Sequence, residues 1–309
     1  MFPLLGIAAA GFLAQLIDGS LGMGYGVTST TLLLTLGLTP ALASASVHMA
    51  EIGTSAVSGA SHWKLGNVDF RILLLLGVPG GIGAFFGAVV LANLSLDAAR
   101  PLVSVVLLVL GAVIVFRFLH ARRAVASRRP RVLESVPETT GQVEPTRRRW
   151  MLTPLGLFGG FLDASGGGGW GPVVTSTLMA AGRLRPRTII GTVSGSEFIV
   201  SVAASAGFLL ALGSAGIRWD IVAMMLLGGS IAAPVSAWLV RRFDDRALGT
   251  AVGALIILLN IDRVLLMLGM ASAQVTTFRV VVVALSAIIV GVLIARGRAR
   301  IASALPQPV

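Results

Sequence analysis

Between Ile72 and Ala92 the chain runs for 21 residues without a charge. A helix rises about 1.5 Å per residue and the hydrocarbon core of a bilayer is about 30 Å thick, so this stretch is long enough to cross a membrane. Ile199 to Ile217 does the same with 19 residues, and further apolar runs cover Pro101 to Phe116, Ile221 to Val240, Ala247 to Ile261 and Val280 to Ala295. Such runs exclude a transmembrane β-barrel, whose strands alternate over about 10 residues. Only 12% of the 309 residues are charged, against roughly 25% in a soluble domain. The chain reads as an all-α integral membrane protein.

The formal charge of +11 is concentrated between or after the apolar runs. Nine arginines and three glutamates lie between Arg117 and Arg149, and smaller clusters are Arg183, Arg185 and Arg187; Arg241, Arg242 and Arg246; and Arg296, Arg298 and Arg300. Basic residues so placed follow the enrichment of Lys and Arg in cytoplasmic loops, and the partner they imply is the lipid bilayer and not nucleic acid. With no cysteine, disulfides and thiolate metal sites are excluded. The start, MFPLLGIAAAGFLAQLIDG, has no basic n-region and runs into a polar motif, so it reads as a structural helix.

That motif, DGSLGMGYG from Asp18 to Gly26, returns as DASGGGGWG from Asp163 to Gly171. With one inserted residue the likeness continues: Pro40 lies over Pro186, Glu51 over Glu197, Ser55 over Ser201, Arg100 over Arg246 and Arg117 over Arg263. The chain divides into a first transmembrane repeat (1–118), a basic linker (119–149), a second repeat (150–270), and a C-terminal helix with a short tail (271–309). Placing the linker in the cytoplasm and counting crossings puts every basic cluster on that side, the C-terminus inside and the N-terminus outside. Pro40 then starts its helix from outside and Pro186 from inside, which is an inverted-topology repeat, a common plan among secondary transporters. The segments around the glycine motifs are too short to span alone. They read as two re-entrant or broken helix pairs meeting near the midplane, where irregular backbone is tolerated only if buried in protein or lining a polar cavity.

The glycines Gly22, Gly24, Gly26, Gly166, Gly167, Gly168, Gly169 and Gly171 permit positive φ and close approach of backbone to a ligand. With the helix N-termini that follow, and the hydroxyls of Ser20 and Ser165, they make a candidate small-anion site; close helix packing is the other role open to them. Neither stretch continues to G-K-[ST], so this is no Walker loop. Asp18 and Asp163 are assigned to capping the freed N–H groups, since a carboxylate repels an anion. Glu51 and Glu197 each lie 11 residues past their proline, about half-way across the core, and are candidate proton carriers or caps for the broken helices. His48 joins Ser44, Glu51, Ser55 and Gly59 on one helix face, and its counterpart is Ser194, which favours a structural role. Arg263 either pairs with Asp262 or Asn260, snorkels, or attracts an anion; Arg117 reads as the start of the basic run.

Two inverted halves, each opening with a glycine break and followed by a helix that starts at proline, resemble the TauE/SafE sulfite exporter family. The resemblance covers essentially the whole chain outside the linker, and DASGGGGWGPVVTSTL is its most specific part. The first break departs from it, with Leu21, Met23 and Tyr25 where the family often has a denser glycine run. The resemblance implies a bacterial inner-membrane permease moving sulfite, thiosulfate or small organosulfonates such as sulfoacetate, with no cofactor and no ATP hydrolysis of its own. The reading is a secondary transporter of small sulfur anions working by alternating access, with proton coupling open and a homodimer among the open oligomeric states. The alternatives are an intramembrane metal- or serine-dependent enzyme, with His48 and Glu51 as an i, i+3 pair, or an anion channel. No H-E-x-x-H or G-x-S-x-G supports the enzyme.

Overall fold

The computed structural model describes residues 4–21, 23–126, 149–181, 184, 186–239 and 245–304, and all regular structure among them is helical. The first half comprises α1 (Leu4–Leu21), α2 (Tyr25–Thr35), α3 (Pro40–Lys64), α4 (Phe70–Asn93) and α5 (Leu96–Ala126). The second begins with α6 (Arg149–Gly166). A π-helical turn, Gly171–Thr175, then runs into α7 (Ser176–Ala181), followed by α8 (Pro186–Leu212), α9 (Trp219–Leu239), α10 (Asp245–Met267) and α11 (Ser272–Ala304). Most of the expected linker lies outside the described residues. Its first part, Leu119 to Ala126, continues α5 as helix, because alanine, leucine and arginine there are strong helix formers.

Helix starts follow local chemistry. Thr39 Oγ1 accepts from the N–H of Leu42 at 3.4 Å, and Pro40 occupies the first turn, where its missing N–H costs nothing. Asp69 Oδ1 accepts from the N–H groups of Arg71 and Ile72 at 3.0 and 3.1 Å, and opens α4. Before α9, Arg218 donates to both oxygens of Asp220, at 2.8 and 2.5 Å, and this pairing holds the exposed Asp220 carboxyl below the usual carboxylate range.

Among the described residues, five helices are long and apolar enough to cross a membrane: Phe70–Asn93, Leu96–Leu119, Thr188–Leu212, Gly249–Met267 and Ser272–Leu293. α3 is as long, at 25 residues, but it carries the buried polar stripe Ser44, His48, Glu51 and Ser55. α2 has 11 residues, about 16 Å, too short to span.

Packing is by backbone contact at glycine. A Cβ on Gly11 would lie 2.5 Å from the carbonyl oxygen of Met225, which seats α1 on α9; one on Gly156 would lie 2.5 Å from that of Leu76, which seats α6 on α4. Small residues allow this where lipid, as apolar as leucine, supplies no hydrophobic drive between helices. Gly59 faces Gly195 while Glu51 faces Ser201, so α3 and α8 run antiparallel. Gly111 faces Ile256 and Gly249 faces Phe118, so α5 and α10 do too. α1 with α9 becomes α6 with α4 when the halves are exchanged, and the pairs α3 with α8 and α5 with α10 map onto themselves. α11 packs on α10 and otherwise presents apolar side chains outward, as a lipid-facing helix does.

Replacing Gly156 by leucine is expected to force α6 from α4 and destabilise the fold by about 1–3 kcal/mol or more, the cost of overpacking. Gly291 on α11 has nothing within 4 Å, so Gly291→Leu should melt like the parent. Thermal melting in detergent compares the two.

Candidate functional site

Both glycine breaks are closed by an aspartate seven residues upstream of an aromatic. Asp18 Oδ1 accepts from the backbone N–H of Tyr25 at 3.3 Å, and Asp163 Oδ1 from that of Trp170 at 2.8 Å. Gly24, with φ 110°, and Gly168, with φ 136°, take conformations that a side chain opposes. The N–H groups of Gly167 and Gly168 both donate to the carbonyl of Asp163, at 2.8 and 2.9 Å, and so close the end of α6. In this conformation those two donors serve the chain itself. Ser165 is buried and donates to Phe161 O at 2.6 Å, back along its own helix. Ser20 lies in the last turn of α1, with its side chain outside the described ones, and Gly22 is outside the described residues.

The two breaks touch. A Cβ on Gly26 would sit 2.6 Å from Gly168 Cα, and one on Gly168 would fall on the backbone of Gly26 and Val27. Gly171 packs on Met23, with its Cβ position 3.1 Å from Met23 Cβ, and Gly169 packs back on Leu162 and Asp163. Gly166 abuts Val106, near the centre of the Leu96–Leu119 span, and Trp170, fully buried, lays its ring on Gly80, near the centre of Phe70–Asn93. Beside this contact Thr28 and Thr30 are buried with no hydrogen-bond partner among the described residues; Thr30 Oγ1 lies 2.6 Å from the Cβ position of Gly167. A hydroxyl left so is a group awaiting a polar ligand or water.

Acidic groups surround the contact. Glu51 is 2% exposed; its Oε1 lies 3.1 Å from the Cβ position of Gly26, and its Oε2 accepts from Ser201 Oγ at 3.4 Å. Glu197 stands one turn before Ser201 on α8 and is less buried. Asp163, Glu197 and Asp18 all act on Glu51 electrostatically.

His48 is fully buried and crosses between the halves. Its Nδ1 lies 2.8 Å from Ser44 O and its Nε2 lies 3.1 Å from Asp163 Oδ2. A carbonyl only accepts, so Nδ1 carries a hydrogen; the second contact then needs another proton, on Nε2 or on Asp163. His48, Glu51 and Asp163 each place one ligand atom within 4.8 Å of the others, a spacing that would admit a cation. Both ring nitrogens of His48 are engaged as described, so a metal would have to displace Asp163 from Nε2.

Arg263 is exposed and reaches Leu34 O at 3.5 Å. Of the three roles open to it, pairing with Asp262 or Asn260 is not made among the described residues: Asp262 binds Arg279 at 2.8 Å, and Asn260 Nδ2 donates to Thr31 Oγ1 at 3.3 Å. Arg117, read from sequence as the start of the basic run, is instead half-buried, with Nη1 2.8 Å from Met23 Sδ and 3.3 Å from Ser176 Oγ. Its place beside the buried stripe Leu107, Leu110 and Ile114 was a usable signal. Thr28 and Thr30 were also missed, although Thr-Ser-Thr follows both breaks.

Asp163→Ala should cost more stability than Asp18→Ala. Both lose a cap, worth about 1 kcal/mol; the first also leaves His48 Nε2 buried without its partner, worth about a further 1–3 kcal/mol. Melting temperatures of the two variants in one detergent check the order.

Residues 7–262 match the family described as "Sulfite exporter TauE/SafE". The chain is 48% identical over 260 residues to the "Probable membrane transporter protein YtnM" of Bacillus subtilis, covering 84% of this chain and 82% of the relative. It is 26% identical over 175 residues to the "Probable membrane transporter protein YdhB" of the same organism, covering 56% of this chain and 64% of that one. No solved structure matches it.

Proposed function

The chain belongs to the sulfite exporter TauE/SafE family and is a multi-pass membrane transporter, not an enzyme, and from that premise we propose a secondary permease for small sulfur anions: sulfite, thiosulfate or an organosulfonate such as sulfoacetate. It sits in a bacterial inner membrane with the basic loops on the cytoplasmic face, and its halves are inverted repeats that alternate access to one site. The observation that carries this reading is the contact of the two breaks at Gly26 and Gly168, flanked by the unpartnered hydroxyls of Thr28 and Thr30. The first turn of α2 presents positive dipole and N–H donors there, which favour an anion. The antiparallel pairing of α3 with α8 and of α5 with α10 supports the inversion.

Glu51 shares that contact, and a carboxylate beside it repels an anion of like sign. Anion and proton then bind together: the substrate enters when Glu51 is neutral, and the proton travels with it. Ser201 and Glu197 on α8 offer the next positions for that proton, and Asp18 and Asp163 stay as caps.

Purified protein in liposomes is expected to take up sulfite, thiosulfate or sulfoacetate saturably, faster when a pH gradient drives protons the same way. Glu51→Gln should fold, exchange anion across the membrane, and lose the response to the gradient. Gly168→Val should abolish uptake by parting the breaks. Absence of uptake of all three anions by the parent would overturn the reading.

A further inference from the structure

Arg117 is the guanidinium that the fold brings to the junction of the two breaks. It stands near the end of the Leu96–Leu119 span, and its side chain turns back along the helix toward the glycine contact, as helical side chains do. Met23, which its Nη1 meets, precedes Gly24 and packs against Gly171; Ser176, its other partner, opens α7. One group thus touches both halves. The exposed guanidiniums Arg218 and Arg279 each pair with a carboxylate, Asp220 and Asp262. No carboxylate among the described residues pairs with Arg117. Its carbon centre lies 5.5 Å from the centre of the Phe118 ring, and its hydrogen-bond partners are a neutral hydroxyl and a thioether, which is a weak acceptor, while a guanidinium carries a fixed charge and five donors. A cation held half-buried on such poor acceptors is matched to an anion that replaces them.

We propose that Arg117 and Ser176 Oγ form the subsite that captures the sulfur anion and passes it to the contact of Gly26 with Gly168. The anion displaces the Met23 thioether from the guanidinium, and two oxygens on one sulfur take its parallel N–H groups. A sulfite, thiosulfate or sulfonate meets that requirement, and a halide does not. This rests on the proposed anion transport.

The test is uptake against concentration in proteoliposomes of the full chain. For Arg117→Gln the KM for thiosulfate should rise about tenfold or more, as loss of one charge-assisted pair implies, with Arg117→Lys between it and the parent. In the parent protein, thiosulfate should protect Arg117 from modification by phenylglyoxal, read by mass spectrometry, and chloride should not. An unchanged KM in Arg117→Gln, or adduct yield at Arg117 that thiosulfate leaves unaltered, overturns the proposal while transport by the parent stands. Should Arg117→Gln fail to fold, the protection measurement on the parent decides. A KM change confined to vesicles containing phosphatidylglycerol, absent in pure phosphatidylcholine, would assign Arg117 to lipid headgroups and also overturn it. No anion uptake by the parent would instead remove the transport reading.

Discussion

The contact between Gly26 and Gly168 is the constraint from which the rest of the architecture follows. The non-helical backbone of the second break, at Gly168, meets the first turn of α2, at Gly26, with no side chain between them, at the level where Gly166 and Trp170 rest on the middles of two spanning helices. Lipid offers no partner for bare N–H and C=O groups, so each break has to supply its own. Asp18 and Asp163 do so for the helix that follows, and the carbonyl of Asp163 does so for Gly167 and Gly168. The long helices then act as a wall that keeps this irregular pair from lipid. Their glycine contacts bring the wall close enough to be tight.

That solution places acidic side chains beside the contact of the two breaks. Asp163 is occupied twice, by the Trp170 N–H on one oxygen and His48 on the other, so its charge is directed into the fold. Glu51 has a single weak hydroxyl contact at Oε2 and lies against the break itself. The two carboxyls thus differ in their partners, two for Asp163 and one for Glu51.

Much of this was legible in the residues. Uncharged runs gave the helical membrane class, and the paired glycine motifs marked the breaks at Asp18 to Gly26 and Asp163 to Gly171. What pattern could not give was the direction of side chains between halves. His48 looked structural because position 194 is serine, and its bond to an aspartate 115 positions away has no local trace. Arg117 was hidden by its neighbours: eight further arginines follow it as far as Arg149, and only packing marks it as a half-buried guanidinium. Thr28 and Thr30 are ordinary helix-surface residues until the second break covers them.

His48 has a consequence for direction. In a carrier whose inverted halves exchange conformations, two identical halves would make the inward-open and outward-open forms equivalent by a two-fold rotation about an axis in the membrane plane, and neither would be preferred at rest. His48 binds the cap of the second break, while the matching position beside the first is Ser194, which bonds Ser58 instead. That bond is one difference between the halves, beside the unlike glycine breaks, that removes such an equivalence. A preference between the two faces would come from differences of this kind and not from the shared scaffold.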